Sequence, residues 1–180
     1  GIFTNLSQDH LDYHKNLNAY LKAKLYLFEN LIKKRGNIIT DQLIPEFKKI
    51  KKITNNKKLK LLALNDKKNE LKVIFHSFKG EAQLLKIKLN NSIQNLNLNL
   101  IGKIQLKNVL MAIIAAKNSN VSLDKILNII SELKPVEGRF EKIGKIKNQS
   151  KVILDYAHTP DALKTCLLNL REQFPNKTIT

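Results

Sequence analysis

Two groups of residues in this sequence have the types and spacing to do chemistry. The first is Asp9, His10, Asp12 and His14, followed ten residues later by Lys24. Histidine is a metal ligand or proton carrier, and a carboxylate beside it can orient the ring or hold a cation. Read without context, a histidine after aspartate is more often a capped or surface residue, and Asp9 and Asp12 are either groups orienting His10 or carboxylates at a helix start. Lys24 is the odd member. Leu17, Tyr20, Leu21, Leu25, Phe28, Leu31 and Ile32 recur at i, i+3, i+4 and i+7, the pattern of one helix face. Lys24 falls within that apolar stripe and Lys22 falls off it. Burial disfavours an ammonium, and an amine that gives up its proton can act as a nucleophile or be chemically modified. The alternative is a packed stem with the ammonium reaching water past the helix edge. The second group is Arg139, Asp155 and His158: a carboxylate ending an apolar run, an imidazole just after it, and a guanidinium with its fixed fork of donors.

The elements that must position these groups can be read in order. Gly1 to Thr4 reads as the end of a strand, Gly36–Thr40 as a short buried strand closed by Asp41, and Pro45–Lys52 as a surface helix. Leu59–Leu64, Leu71–Phe78, Ala82–Leu89 and Ile93–Leu100 are four strand-like runs, the middle two joined by a turn at Lys79-Gly80 into an antiparallel pair. Asn108–Lys117 reads as a helix with Val109, Ile113 and Ala116 on one side. Leu123–Leu133 reads as another, capped by Ser122. Pro135 to Phe140 interrupts this pattern and sets the expected domain boundary, giving domains of 1–134 and 135–180. Lys151–Asp155 is then a buried strand, and Thr159-Pro160 is a cap and first position for a helix over Asp161–Leu170. Lys177–Thr180 is expected to begin a further strand. A βαβ unit cut at its second strand cannot cover its own faces, so the expectation is a piece of a longer chain.

Composition narrows the classes. At 43% hydrophobic the chain is a globular sequence, and it holds no apolar run long enough for a membrane span. One cysteine, Cys166, excludes an internal disulfide and fits a reducing cytoplasm. The net charge of +17 invites a nucleic-acid partner. Against it, 29 of the 32 basic residues are lysine, and they are scattered except for a cluster at Lys48–Lys60 with few aromatics among them. The reading is a lysine-coated protein with no nucleic-acid and no membrane partner.

Three ordered motifs carry a family resemblance. Thr4–His14 (TNLSQDHLDYH) with Tyr20–Lys24 (YLKAK), then Gly138–Glu141 (GRFE), then Asp155–Leu163 (DYAHTPDAL) resemble the Mur ligases over nearly the whole chain. The match is best to the branch that adds the third residue of the peptidoglycan peptide, the alternative being another Mur ligase or a folylpolyglutamate synthase-like ligase of the same superfamily. The resemblance implies an α/β fold: part of the three-layer central domain with its mixed sheet, followed by the start of a Rossmann-like C-terminal domain. It implies a cytoplasmic enzyme of cell-wall synthesis that uses ATP and Mg²⁺ to phosphorylate a carboxylate, which the amine of an incoming amino acid then attacks. The substrates implied are UDP-N-acetylmuramoyl-dipeptide and meso-diaminopimelate or L-lysine.

Residue by residue, the resemblance makes Lys24 the lysine that is carbamylated by carbon dioxide and helps hold Mg²⁺, and His10 a magnesium ligand. An anionic carbamate offers the oxygen donors that magnesium prefers. Asn108 matches the asparagine near the adenine, Arg139 the arginine that reaches the nucleotide from the hinge, and Asp155 the residue bonding the ribose hydroxyls. His158 matches a position near the terminal phosphate. His14 receives no role. The family places an aromatic or histidine followed by asparagine three residues before Asn108, and this chain has Ile104-Gln105 there. No G-x-x-x-x-G-K-[ST] occurs, Gly144-Lys145-Ile146 lacking the hydroxyl residue. The resemblance places the phosphate loop upstream of Gly1 and the segment that selects the amino acid downstream of Thr180.

Overall fold

The computed structural model describes residues 1–8, 11–68, 71–89, 92–147 and 150–180. It divides into two compact units, one of residues 1–72 and 110–121 and one of residues 73–109 and 122–180.

The first unit is built on a parallel pair. β1 (Asn37–Asp41) and β2 (Lys60–Leu64) run parallel in register from Asn37↔Lys60 to Asp41↔Leu64, with α3 (Phe47–Lys57) as the crossover. A parallel connection needs about a dozen residues, and a helix supplies them. Ile2 forms a parallel bridge to Ile39, so the opening residues do lie beside β1. α1 (Leu11–His14) and α2 (Leu17–Tyr26) lie between Ile2 and β1 in the chain. Asn16 starts α2 by accepting from the Ala19 N–H at 2.9 Å. The core joins Phe3, Leu21, Leu25, Phe28, Ile38, Ile50 and Ile53. Each such side chain contributes roughly 1.5–3 kcal/mol on burial. The lysine cluster resolves into one solvated face: α3 buries Ile50, Ile53 and Thr54 and turns Lys48, Lys49, Lys51 and Lys52 to water.

The apolar stripe around Lys24 is only partly buried. Residues Leu27–Leu31 form a π-helical turn, with the Ile32 N–H bonded to the Leu27 carbonyl at 3.1 Å. The wider turn shifts the phase of the face. Leu31 is therefore 63% exposed, against 2% for Phe28.

The second unit holds a three-stranded sheet in the order β3 (Leu71–Lys79), β4 (Ala82–Leu89), β5 (Ser92–Leu98). β4 and β5 are antiparallel, and the two-residue link at Gly80-Glu81 fits only an antiparallel β3–β4 neighbour pair. α4 (Lys103–Lys117) runs across the division between the units, and α5 (Leu123–Ile130) buries Ile126 and Ile130. β6 (Glu141–Lys145) and β7 (Lys151–Leu154) pair antiparallel with a bulge between Lys142 and Gly144. α6 (Pro160–Gln173) opens as expected, Thr159 accepting from the Ala162 N–H at 3.2 Å with proline in the first turn. Its core gathers Ile101, Phe140 and Cys166, with Ile104, Ile153, Leu170 and Phe174 packed against them. Burial and the nearby Asp155 carboxylate push the Cys166 thiol above its usual range.

The architecture is mixed α/β, as expected, with differences of detail. α3 starts at Phe47 and runs to Lys57, and α4 starts at Lys103, five residues before the expected Asn108. α5 stops at Ile130, and Ser122 stands at its cap without a side-chain hydrogen bond. β6 was not expected. Residues 178–180 make no strand pairing among the described residues, and a strand exists only through its ladder to a neighbour. Among the described residues no helix is long and apolar enough to cross a membrane.

Candidate active site

Lys24 lies in the first unit, half-buried in the last turn of α2. Its Nζ donates to the Asn5 carbonyl at 3.3 Å and sits 4.9 Å from the Tyr20 ring centroid and 5.8 Å from that of Phe3. Tyr20 in turn stacks on His14, the ring centroids 4.7 Å apart and the planes 16° from parallel. The stem is covered and the amine rests on aromatic faces, an arrangement between full burial and free exposure. His10, the other residue assigned to magnesium, and Asp9 lie outside the described residues. Among the described residues no group of three or more His, Cys, Asp or Glu side chains could hold a metal ion. As an ammonium, Lys24 would repel a cation, so the described side chains by themselves do not fit Mg²⁺.

In the second unit the structure brings together four of the predicted residues' elements. Asp155 stands at the carboxyl end of β7. Its Oδ2 accepts the Phe140 N–H and its Oδ1 the Ala157 N–H, both at 3.0 Å. One carboxylate thus ties the Gly138–Phe140 turn to the loop that carries His158. The turn is tight: the Arg139 N–H bonds the Val136 carbonyl at 2.9 Å, and the Gly138 N–H is accepted by Glu141 at 2.8 Å. Phe140 takes a left-handed φ of 47° while its side chain is buried. Such a conformation costs a non-glycine residue about 1–2 kcal/mol, here opposed by burial and by the Asp155 bond.

The result places Arg139 on Tyr156, the guanidinium carbon 4.8 Å from the ring centroid. Tyr156 also meets His158 edge to face at 4.9 Å, and His158 Nδ1 lies 3.0 Å from the Tyr156 carbonyl oxygen. That carbonyl can only accept, so Nδ1 carries the proton. From the start of α4, Gln105 donates to the Arg139 carbonyl at 3.2 Å. Asn108 stands three residues further along the helix, exposed, on the same side as Gln105. Tyr156 is not among the residues to which the sequence motifs assign a role. The signal for it was its place inside the DYAH motif, between two assigned residues.

Chemically this is a rim of a guanidinium, an imidazole, two amides and a carboxylate at a strand end, where open α/β sheets bind ligands. Each Asp155 oxygen spends one lone pair on the backbone and keeps another. The donors suit an anionic, sugar-bearing ligand, and the residues present fit a nucleotide.

The chain matches the model of the Mur ligase middle domain over residues 1–116 and that of the Mur ligase glutamate ligase domain over residues 138–180. A UDP-N-acetylmuramoyl-L-alanyl-D-glutamate–2,6-diaminopimelate ligase of Rickettsia montanensis is 34% identical, covering 95% of this chain and 35% of its own length. The ligase of the same name from Leptospira borgpetersenii is 31% identical over all of this chain and 37% of its own length. The fold is that of the crystal structure of the MurF ligase of Thermotoga maritima in complex with ADP, at a TM-score of 0.76 and 16% identity, covering 95% of this chain and 38% of that one. The chain spans about a third of the length of the curated relatives it matches. With two family models matched in order, the chain belongs to the Mur ligase family.

Proposed function

We propose that this chain is the ATP-binding part of an amide-bond-forming ligase that adds meso-diaminopimelate to UDP-N-acetylmuramoyl-L-alanyl-D-glutamate in the cytoplasm, during peptidoglycan synthesis. The observation that carries the reading is the Asp155 carboxylate gathering the GRF turn and the His158 loop into one rim. The relatives' names support the choice of amino acid, and the ADP complex of the Thermotoga maritima enzyme supports the choice of nucleotide. Residues 1–134 are read as the later part of the central domain, and 135–180 as the hinge and first βα unit of the next.

When bound, ATP supplies the phosphoryl group that turns the substrate carboxylate into an acyl phosphate. The chain's own residues bind and orient. Asn108 and Gln105 present amides to the adenine, Gln105 standing in for the usual asparagine. Asp155 accepts from the ribose hydroxyls with its spare lone pairs, and Arg139, steadied by Tyr156, faces the phosphates. His158, bonded through Nδ1 to the Tyr156 carbonyl, is the residue assigned to the terminal phosphate. Lys24 as its carbamate and His10 are the proposed magnesium ligands. No step is assigned to the metal.

The test is ligation by the full-length protein, with product mass read for meso-diaminopimelate and L-lysine in turn. Addition of diaminopimelate, dependent on ATP, supports the reading. Addition of L-lysine alone moves the chain to the other branch, and no addition of either refutes it.

A further inference from the structure

The start of α4 is held by side chains from another helix. One glutamine and one asparagine of α6 do this. Gly102, with φ of 87°, donates its N–H to Gln173 Oε1 at 2.7 Å, and Ile104 donates its N–H to Asn169 Oδ1 at 3.1 Å. Asn169 and Gln173 are four residues apart on one face of α6. The first N–H groups of a helix have no partner within it, and a capping side chain usually comes from the same segment. Here the caps come from the stretch matched by the other family model.

The rest of the network is satisfied. Gln173 Nε2 donates to the Gly80 carbonyl at 3.0 Å. Gln83 Nε2 donates to the carbonyls of Leu100 at 2.8 Å and Gly102 at 3.0 Å. Gln83 Oε1 therefore accepts from His76 Nε2, 2.9 Å away. Gln83 is 0% and Gln173 5% exposed. Polar groups so buried are costly unless every member is paired, and a fully paired network fixes one geometry. A β-carbon at Gly102 would come within 3.4 Å of Asn169 and Phe140, so a glycine fits this close approach.

We propose that Asn169 and Gln173 are positioning residues for the nucleotide end of the site, an inference that rests on the ATP-binding reading above. α6 follows the Asp155–His158 loop directly, and at about 1.5 Å per residue its 14 residues make a strut of about 21 Å. Its far end grips Gly102 and Ile104, and the next residue, Gln105, reaches the Arg139 carbonyl. The strut thereby keeps Gln105 and Asn108 in register with Arg139, Asp155 and His158 without touching the nucleotide. Lys103 pairs with Glu172 at the same contact.

The test uses the full-length protein with Asn169→Ala, Asn169→Asp and Gln173→Ala, read by amide exchange and steady-state kinetics. Asn169 is only partly buried, so its variants keep the test open if Gln173→Ala fails to fold. Loss of one cap should speed exchange at the freed amide about tenfold. The KM for ATP should rise by a similar factor, with kcat and the KM for the muramoyl dipeptide little changed. Asn169→Asp keeps the acceptor oxygen and should restore both readings. Unchanged exchange in Asn169→Ala overturns the cap, and faster exchange with an unchanged KM for ATP overturns the positioning role. Equal rises in both KM values also overturn it. A wild type without ATP-dependent ligation would sink the functional reading and the positioning role with it, while exchange would still decide the cap.

Discussion

Asp155→Ala removes two bonds at once, and its cost can be worked from the geometry. Both carboxylate oxygens accept a backbone N–H at 3.0 Å. A hydrogen bond to a charged group is worth about 1.5–3 kcal/mol net, and Asp155 is half-buried, so water would replace part of each. That leaves about 1 kcal/mol per bond. The left-handed Phe140 loses one of its restraints, and its strain of about 1–2 kcal/mol is opposed by burial alone. The two bonds give an expected loss of roughly 2 kcal/mol, seen as a lower urea midpoint at unchanged slope, or as a Tm about 4–8 °C lower for a chain of this size. Asp155→Asn keeps one acceptor and should fall between. In the full-length enzyme the KM for ATP should rise far more than that for the uridine nucleotide, because Arg139 and His158 lose their common anchor. A variant within about 0.5 kcal/mol of wild type, the scatter of ordinary surface changes, would refute the claim that Asp155 assembles the rim. Equal losses for both substrates would show that the whole chain had misfolded.

Other expectations follow the same geometry. Glu81 is bridged by Lys142 at 2.8 Å and Lys151 at 2.9 Å, and its hydrogen bonds to them hold its carboxyl below the usual glutamate range. Its contribution is complete above the ordinary value of 4.5 and is lost as pH falls through the lower folded value. Glu81→Gln should therefore cost about 0.5–1 kcal/mol near neutrality and nothing in strong acid; a cost that persists in acid would contradict the bridge. Lys24→Ala should abolish most ligase activity in the full-length enzyme, with partial rescue by formate or acetate. Full activity without rescue would end the carbamate proposal. His10→Ala should shift the magnesium titration to higher concentration, and an unmoved titration would remove His10 from the ligand set.

Local signals were the legible ones. The apolar run before Asp41 gave β1, and Thr159-Pro160 gave the start of α6 to the residue, because both are written in consecutive side chains. β6 was not legible: Lys142, Gly144 and Lys145 break the alternation, and the strand is held by its antiparallel partner across a bulge. The π-turn at Leu27–Leu31 was hidden because the sequence keeps the α-helical period that the backbone leaves. α4 was read late because its first turn is secured by Asn169 and Gln173, more than sixty residues away. The site divides the same way. Arg139, Asp155 and His158 were legible as residue types in motifs, whereas the Phe140 N–H bond that lets Asp155 organise them joins residues 15 apart and leaves no local pattern.

If the full-length protein works through an acyl phosphate, oxygen passes from the substrate carboxylate to the phosphate it releases. The full-length protein would be given ATP, meso-diaminopimelate and UDP-N-acetylmuramoyl-L-alanyl-D-glutamate with ¹⁸O in the reacting carboxylate. If the carboxylate attacks phosphorus and the amine then displaces phosphate, one ¹⁸O leaves with each phosphate released and ADP forms in equal amount. Amide product with unlabelled phosphate, or with AMP in place of ADP, would contradict the account.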